Sequence, residues 1–272
     1  MTLISIVIPN YNYAHFLERL FDSLVTQNFP LEQAEIIFVD DGSTDNSIEK
    51  AHRWTGLLNC SDFRIISADH CGKPGIVRNR GLLESRGKYL LTLDPDDYLE
   101  PEYISSCIEV LEKENSTGLV YTNYYKQSSA GRKELLLPDF SAADMRSQNL
   151  LPPTAIYRRK YFDMGARYRD NTLYEDWDYW IQLLMLGAKF HHIRKPLYNY
   201  LVHENSFSAA AVKDDGPSKA KIVLNNPDFF NNTVRTWAAD HLRNRNYAPS
   251  FQRGIIPRPQ DITRLLMTIE KM

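Results

Sequence analysis

Four short apolar runs recur through the first hundred residues, and a helical pattern follows each of the first three. Ile4–Ile8 is rich in β-branched residues and is broken by Pro9-Asn10-Tyr11-Asn12, which reads as a buried strand and a turn. Phe16, Leu17, Leu20, Phe21 and Leu24 then repeat at helical spacing, and Asn28-Phe29-Pro30 ends the helix. Glu35–Asp40 is the second strand, Ile48, Ala51 and Trp54 mark the second helix, and Ser43 or Thr44 is placed to cap it. Phe63–Ile66, a helix from Ile76 to Arg86 and the run Tyr89–Leu93 complete the series. Such alternation dictates parallel pairing through right-handed crossovers. In open sheets of that kind the ligand crevice lies beyond the carboxyl ends of the strands.

The unusual residues all stand at those ends. Pro9–Asn12 follows the first strand, Asp40–Asp45 the second, and Asp94-Pro95-Asp96-Asp97 the fourth. Three carboxylates crowded within four residues repel one another and call for a positive partner. A divalent cation answers that need, since hard cations prefer oxygen ligands. A solvated acidic turn leading into the next helix, near Pro101, answers it equally well. Three loops on one crevice edge are a geometric reason to treat them together.

After Asp97 the pattern loosens. Pro101 suits the first position of a helix whose stripe is Ile104, Cys107, Ile108 and Leu111. Gly118–Thr122 and Ala155–Tyr157 read as strands, separated by a polar, irregular stretch from Lys126 to Pro153 with weak strand character at Glu134–Leu137. A helix runs from Glu175 to Leu186 and stops at Gly187. Phe190–Ile193 and Leu197–Tyr200 read as two strands divided by Lys195-Pro196. Asn205–Pro217 reads as a loop or hinge, followed by helices at Phe229–Leu242 and Pro259–Met272. The last carries Ile262, Leu265, Leu266 and Ile269 on one stripe, which serves packing on its own domain, pairing with a second subunit, or contact with a membrane surface.

Composition excludes several classes. A net charge of −2 gives no basic footprint for nucleic acid. Three cysteines, Cys60, Cys71 and Cys107, lack metal-ligand spacing and suit a reducing compartment. No apolar stretch approaches the ~20 residues of a membrane span, and no leader pattern opens the chain. The expectation is a cytoplasmic protein, with the inner face of the membrane as the second placement.

The motifs resemble those of the inverting family 2 glycosyltransferases, which use the glycosyltransferase A fold. In order they are Ser5–Asn12, Val39–Asp45, Gly72 with Arg78-Asn79-Arg80-Gly81, Leu93–Asp97, and Glu175–Trp180, spanning roughly residues 3–205. The fold implied is an α/β, Rossmann-like nucleotide-sugar-binding domain with a mostly parallel central sheet flanked by helices. It would occupy residues 1–204, with a nucleotide-binding half (1–100) and an acceptor-side half (101–204), and a helical extension over 205–272. The resemblance implies that Pro9, Tyr11 and Asn12 line the donor site, with Tyr11 stacking on the base. It implies Asp41, or failing that Asp40, as acceptor for a uracil N–H, Arg78 near the nucleotide, Asp96 toward the donor ribose, and Asp94 within the nucleotide-sugar site. Asp97, with Asp96 and His203, would hold Mn²⁺ or Mg²⁺ at the diphosphate. Asp176, with Glu175 second, would be the base that deprotonates an acceptor hydroxyl; the helix N-terminus favours its ionised form.

The activity implied is metal-assisted transfer of a hexose or N-acetylhexosamine, most simply from a UDP-sugar, to a glycan, glycolipid or glycoprotein. Two other readings compete. A sugar nucleotidylyltransferase would open with a Gly-rich basic loop after strand one, which Pro9–Asn12 is not. A non-catalytic nucleotide-sugar-binding module would lack the Glu175-Asp176 pair. Lys73 is a further cation that would help neutralise the phosphates, though its loop departs from the common family form, and Lys126–Arg169 offers no recognisable motif.

Overall fold

The computed structural model describes residues 2–203 and 214–269. Strands β1 (Ile4–Asn10), β2 (Ala34–Asp40), β3 (Asp62–Ser67) and β4 (Tyr89–Thr92) lie side by side in the order β3-β2-β1-β4, all parallel. Helices α1 (Leu17–Val25), α2 (Ser47–Trp54) and α3 (Pro74–Glu84) make the crossovers. Every residue of β1 and β2 is buried, as befits strands covered on both faces. Alternate side chains feed different cores: Ile4, Ile6 and Ile8 pack with Leu17, Phe21 and Tyr103, while Val7 packs with Val77, Leu82 and Tyr157. The α2 cap differs from expectation. Asp45 Oδ1 accepts from the Ser47 N–H at 3.0 Å, and Ser43 is turned toward Asp40 instead.

Helix α3 lies unusually close to the sheet at Gly81. A Cβ there would overlap Val7 Cγ1 and come within 2.9 Å of Val39 Cγ2. That proximity sets the depth at which Arg78, one turn earlier, enters the crevice. Gly81→Ala is expected to lower stability by about 1–3 kcal/mol, the usual cost of overfilling a packed core. The midpoint of urea unfolding reads it directly, and an unchanged midpoint would contradict this account.

The second half adds β5 (Tyr98–Leu99), α4 (Tyr103–Lys113), β6 (Thr117–Ser128), β7 (Gly131–Leu135), β8 (Ile156–Arg158), α5 (Arg159–Asp163), α6 (Glu175–Met185) and β9 (Lys189–Leu201). β8 joins the halves, antiparallel to both β4 and β6, and β9 runs parallel to β6. β5 and β7 pair antiparallel to β9 and β6, so the sheet is mixed, with its parallel pairs concentrated in the first half.

Two sequence expectations change here. The polar stretch from Lys126 begins as the end of β6 and returns as β7 in a hairpin, earlier than the Glu134–Leu137 reading. The two short strands around Lys195-Pro196 are one strand, β9. Its register against β6 shifts between Thr122 and Asn123, and Pro196 sits at that irregularity, where no ladder N–H is required.

The stretch read as a loop from Asn205 lies outside the described residues up to 213, and residues 215–217 are helical. Helices α7 (Asp215–Asn225), α8 (Asn232–Leu242) and α9 (Pro259–Ile269) follow. Asn231 caps α8 by accepting from the Val234 N–H at 3.0 Å. Val223, Trp237, Ile256 and Ile262 join one buried cluster with Trp177, Tyr179 and Trp180 of α6. Of the α9 stripe, Ile262 is buried and Leu266 is exposed. Among the described residues, no helix is long and apolar enough to cross a membrane.

Candidate active site

The carboxyl ends of β1, β2 and β4 open into a cleft of about 660 Å³ that the start of α6 borders as well. Of the residues singled out from sequence, Pro9, Tyr11, Asp41, Arg78, Asp94, Asp96, Glu175 and Asp176 line it. Asn12, Asp40, Asp97 and His203 do not.

Asp40 and Asn12 brace the loops behind the wall. Asp40 accepts from Asn10 Nδ2 at 2.9 Å, Ser43 Oγ at 2.6 Å and the Ser43 N–H at 2.8 Å. Asn12, at φ 57°, accepts from the Thr44 and Asp45 N–H groups at 2.7 and 3.2 Å, tying the loop after β1 to the loop after β2. Asp41 sits at the cleft surface, and its carboxylate accepts from the N–H groups of Cys71 and Gly72 at 3.1 and 2.9 Å. Burial pushes its pKa up, but those N–H groups outweigh burial and hold it below the ordinary carboxylate value. Tyr11 stacks on His70, with ring centroids 3.8 Å apart and planes 20° from parallel, and His70 Nδ1 lies 2.9 Å from Asp41 Oδ2.

The acidic turn divides three ways. Asp94 accepts from Arg78 Nη2 at 2.7 Å, and Arg78 Nη1 reaches Glu175 Oε1 at the same distance. Arg78 is buried and also lies over the Tyr168 ring, 5.4 Å from its centroid. Burial opposes its charge, yet Asp94 and Glu175 together raise its pKa further. Part of the positive charge that the crowded acids demand is therefore supplied by the chain itself.

Asp96 faces His203, with Oδ2 3.0 Å from Nε2, and burial followed by the charge of Asp94 pushes its pKa up to about 6. Asp97 is turned toward β9. It is buried, accepts from the Tyr198 hydroxyl and, at 2.9 Å, from the Leu201 N–H, and burial holds its pKa well above the ordinary value. The two acids are adjacent in sequence, and they point into different surroundings.

At the start of α6 the two acids also diverge. Glu175 is buried against Arg78, and burial pushes its pKa up to about 7 despite that partner. Asp176 is half-buried, accepts from the Trp177 N–H at 2.8 Å and from Asn149 Nδ2 at 2.9 Å, and remains on the cleft surface. Burial raises its pKa, and both N–H partners oppose the rise. Asp178, next on the helix, is fully buried and occupied by Arg169, Asn226 and Gln182.

Asn149 was invisible in sequence, a lone amide in an irregular segment. Tyr13, Tyr124 and Tyr200 also line the cleft, as does Arg253 from the far end of the chain, and no spacing or motif announced them. Lys73 lines the cleft but pairs with Asp170 at 2.7 Å.

Among the described residues, no group of three or more His, Cys, Asp or Glu side chains is disposed to hold a metal ion. Asp96 and His203 offer one carboxylate and one imidazole nitrogen. That pair fits Mn²⁺ or Mg²⁺ only where diphosphate oxygens and water complete the shell, a usual arrangement for these ions.

A profile described as glycosyl transferase family 2 matches residues 5–179. Chondroitin synthase of Pasteurella multocida (strain Pm70) is 27% identical over 248 residues, covering 89% of this chain and 25% of that protein. The poly(ribitol-phosphate) beta-N-acetylglucosaminyltransferase TarS of Staphylococcus aureus (strain Mu50 / ATCC 700699) is 28% identical over 178 residues, 64% of this chain and 30% of its own. The chain thus spans less than a third of the length of these relatives. In fold it is similar to S. aureus TarS 1-349 in complex with UDP-GlcNAc, at TM-score 0.71 and 18% identity, covering 91% of this chain and 73% of that one. It is also similar to the mannosyltransferase PcManGT from Pyrobaculum calidifontis in complex with GDP-Man and Mn2+, at TM-score 0.62 and 15% identity over 98% and 79% of the two chains.

Proposed function

Since the chain belongs to glycosyl transferase family 2, we propose that its cleft moves a hexose or N-acetylhexosamine from a UDP-sugar to a hydroxyl of a glycan, glycolipid or glycoprotein, inverting the anomeric centre. One observation carries this reading: Arg78 clasps Asp94 on the nucleotide side and Glu175 at the start of α6, so both halves of the chemistry share one cleft. A nucleotide sugar is in keeping with the TarS complex.

Direct displacement needs a base on the face opposite the leaving group. Asp176 takes that role, because Glu175 is committed to Arg78 whereas Asp176 remains on the cleft surface. Asn149 and the Trp177 N–H hold its carboxylate in place. The proton of the acceptor hydroxyl passes to a carboxylate oxygen of Asp176 as that hydroxyl attacks. Tyr11 supplies a face for the base, and Asp41 is the carboxylate beside it. The metal is assigned to Asp96 and His203, where Mn²⁺ or Mg²⁺ would stabilise charge on the departing nucleoside diphosphate. The same proposal assigns 1–204 to catalysis and the activity to the cytoplasm, with exposed Leu266 and Met267 of α9 open to a second subunit or the inner membrane face.

A panel of UDP-glucose, UDP-galactose, UDP-N-acetylglucosamine and GDP-mannose, with Mn²⁺ or with chelator, tests the class. Metal-dependent release of UDP is expected. Release of pyrophosphate from a nucleoside triphosphate would instead indicate a nucleotidylyltransferase. Asp96→Ala should weaken Mn²⁺-dependent UDP binding by more than the ~10–100-fold typical of an outer-shell change, and Asp97→Asn should largely preserve it. Equal losses would return the metal to Asp97.

A further inference from the structure

Arg253 is the cleft-lining cation that the donor chemistry leaves unused. Arg78 is matched by Asp94 and Glu175, and Lys73 by Asp170. Among the described residues, no carboxylate lies within ion-pair distance of Arg253, whose exposed side chain lines the same cleft as Tyr174. Tyr174 immediately precedes Glu175 and Asp176, and all three line this cleft together with Arg253.

The loop carrying it is built to hold it there. Lys219 is fully buried, pairs with Asp215 at 2.7 Å, and donates to the carbonyls of Ser250 and Gln252 at 2.7 and 2.8 Å. Asp215 Oδ1 accepts from the Gly254 N–H at 2.8 Å and from the Tyr174 hydroxyl at 2.7 Å. The backbone is therefore fixed on both sides of Arg253, and the same carboxylate ties it to the start of α6. Phe251, at φ 57°, holds a left-handed conformation that costs a non-glycine residue on the order of 1 kcal/mol. A buried lysine and a strained backbone are a costly way to present one side chain unless that side chain has a partner.

Resting on the glycosyltransferase reading, we propose that Arg253 recognises an anionic group on the acceptor, a carboxylate or a phosphodiester close to the attacking hydroxyl. A guanidinium matches both anions through paired N–H donors. The surrounding wall carries Tyr124, Tyr174 and Tyr200, whose rings suit sugar faces. The acceptor is then an acidic glycan or a polyol phosphate rather than a neutral oligosaccharide.

The test uses the full chain with saturating UDP and Mn²⁺, titrated while tryptophan fluorescence is followed. The probes are a hexuronate-containing oligosaccharide, its carboxyl-reduced counterpart, and a polyol phosphate oligomer. At least one anionic probe should bind about tenfold or more tightly than the reduced one, a typical gain for a charge-assisted contact. Arg253→Gln should erase the difference and Arg253→Lys should restore part of it, with unchanged melting temperatures. The stronger anionic arm identifies the source of the charge. Equal binding of all three probes, or binding of none, overturns the proposal. So does a loss in Arg253→Gln that falls on UDP affinity instead, which would put the guanidinium on the donor phosphates. Failure of the transferase reading registers separately, as no nucleoside diphosphate released by the wild-type chain from any donor.

Discussion

Asp176→Asn is expected to lower the turnover number for transfer by roughly 10²–10⁴-fold, the range that a positioned general base contributes. UDP affinity should be unchanged, because nothing on the nucleotide wall touches this carboxylate. The substitution keeps the shape and one acceptor oxygen, so the Trp177 N–H retains its partner while proton acceptance is lost. Glu175→Gln should behave differently. Glu175 is held by Arg78, so its loss disturbs the clasp and lowers stability together with activity. Single-turnover kinetics with separate UDP titrations distinguishes the two. Near-normal turnover in Asp176→Asn would remove it from the role of base.

The second large effect is expected at Arg78. Arg78→Met leaves Asp94 and Glu175 without their shared cation, and Glu175 is almost wholly buried. Removing one partner of a buried ion pair typically costs about 3–5 kcal/mol, because the other charge remains desolvated. Arg78→Lys should recover only part, since an ammonium is a single point charge where the guanidinium spans two carboxylates. Adding Glu175→Gln to Arg78→Met should restore some of the lost stability, a coupling that a double-mutant cycle measures. Urea unfolding of Arg78→Met within about 1 kcal/mol of wild type would mean that water, not the guanidinium, satisfies these acids.

How far the sequence carries depends on which force places each residue. β1 to β4 and α1 to α3 were legible because buried parallel strands and one-sided helices leave unambiguous periods. The carboxyl-end rule then brought Tyr11, Asp41, Asp94 and Asp96 to one crevice, as found. The difference between Asp96 and Asp97 was not legible, because it depends on which side of a turn each carboxylate leaves the backbone. The Tyr198 hydroxyl and the Leu201 N–H that engage Asp97 lie a hundred residues away. Pro196 disguised β9 as two strands, since a proline within a strand reads as a break unless a register shift absorbs it. Asn149 and Arg253 sit in irregular segments positioned by long-range hydrogen bonds, and no local pattern records those.

The cover on α6 has a consequence for how the chain becomes an enzyme. Thr172, Leu173 and Tyr174 are hydrogen-bonded to Ser218 and Asp215, Asp178 is bonded to Asn226, and Trp177 and Trp180 share their buried cluster with Trp237 and Ile262. All of these partners leave the ribosome after Glu175 and Asp176. At ~5–20 residues per second, the nascent chain spends seconds with its nucleotide half complete and the helix bearing Asp176 still bare on one side. Nucleotide binding should therefore precede transferase competence during synthesis, and chaperones that recognise exposed aromatic surface have their opportunity in that interval.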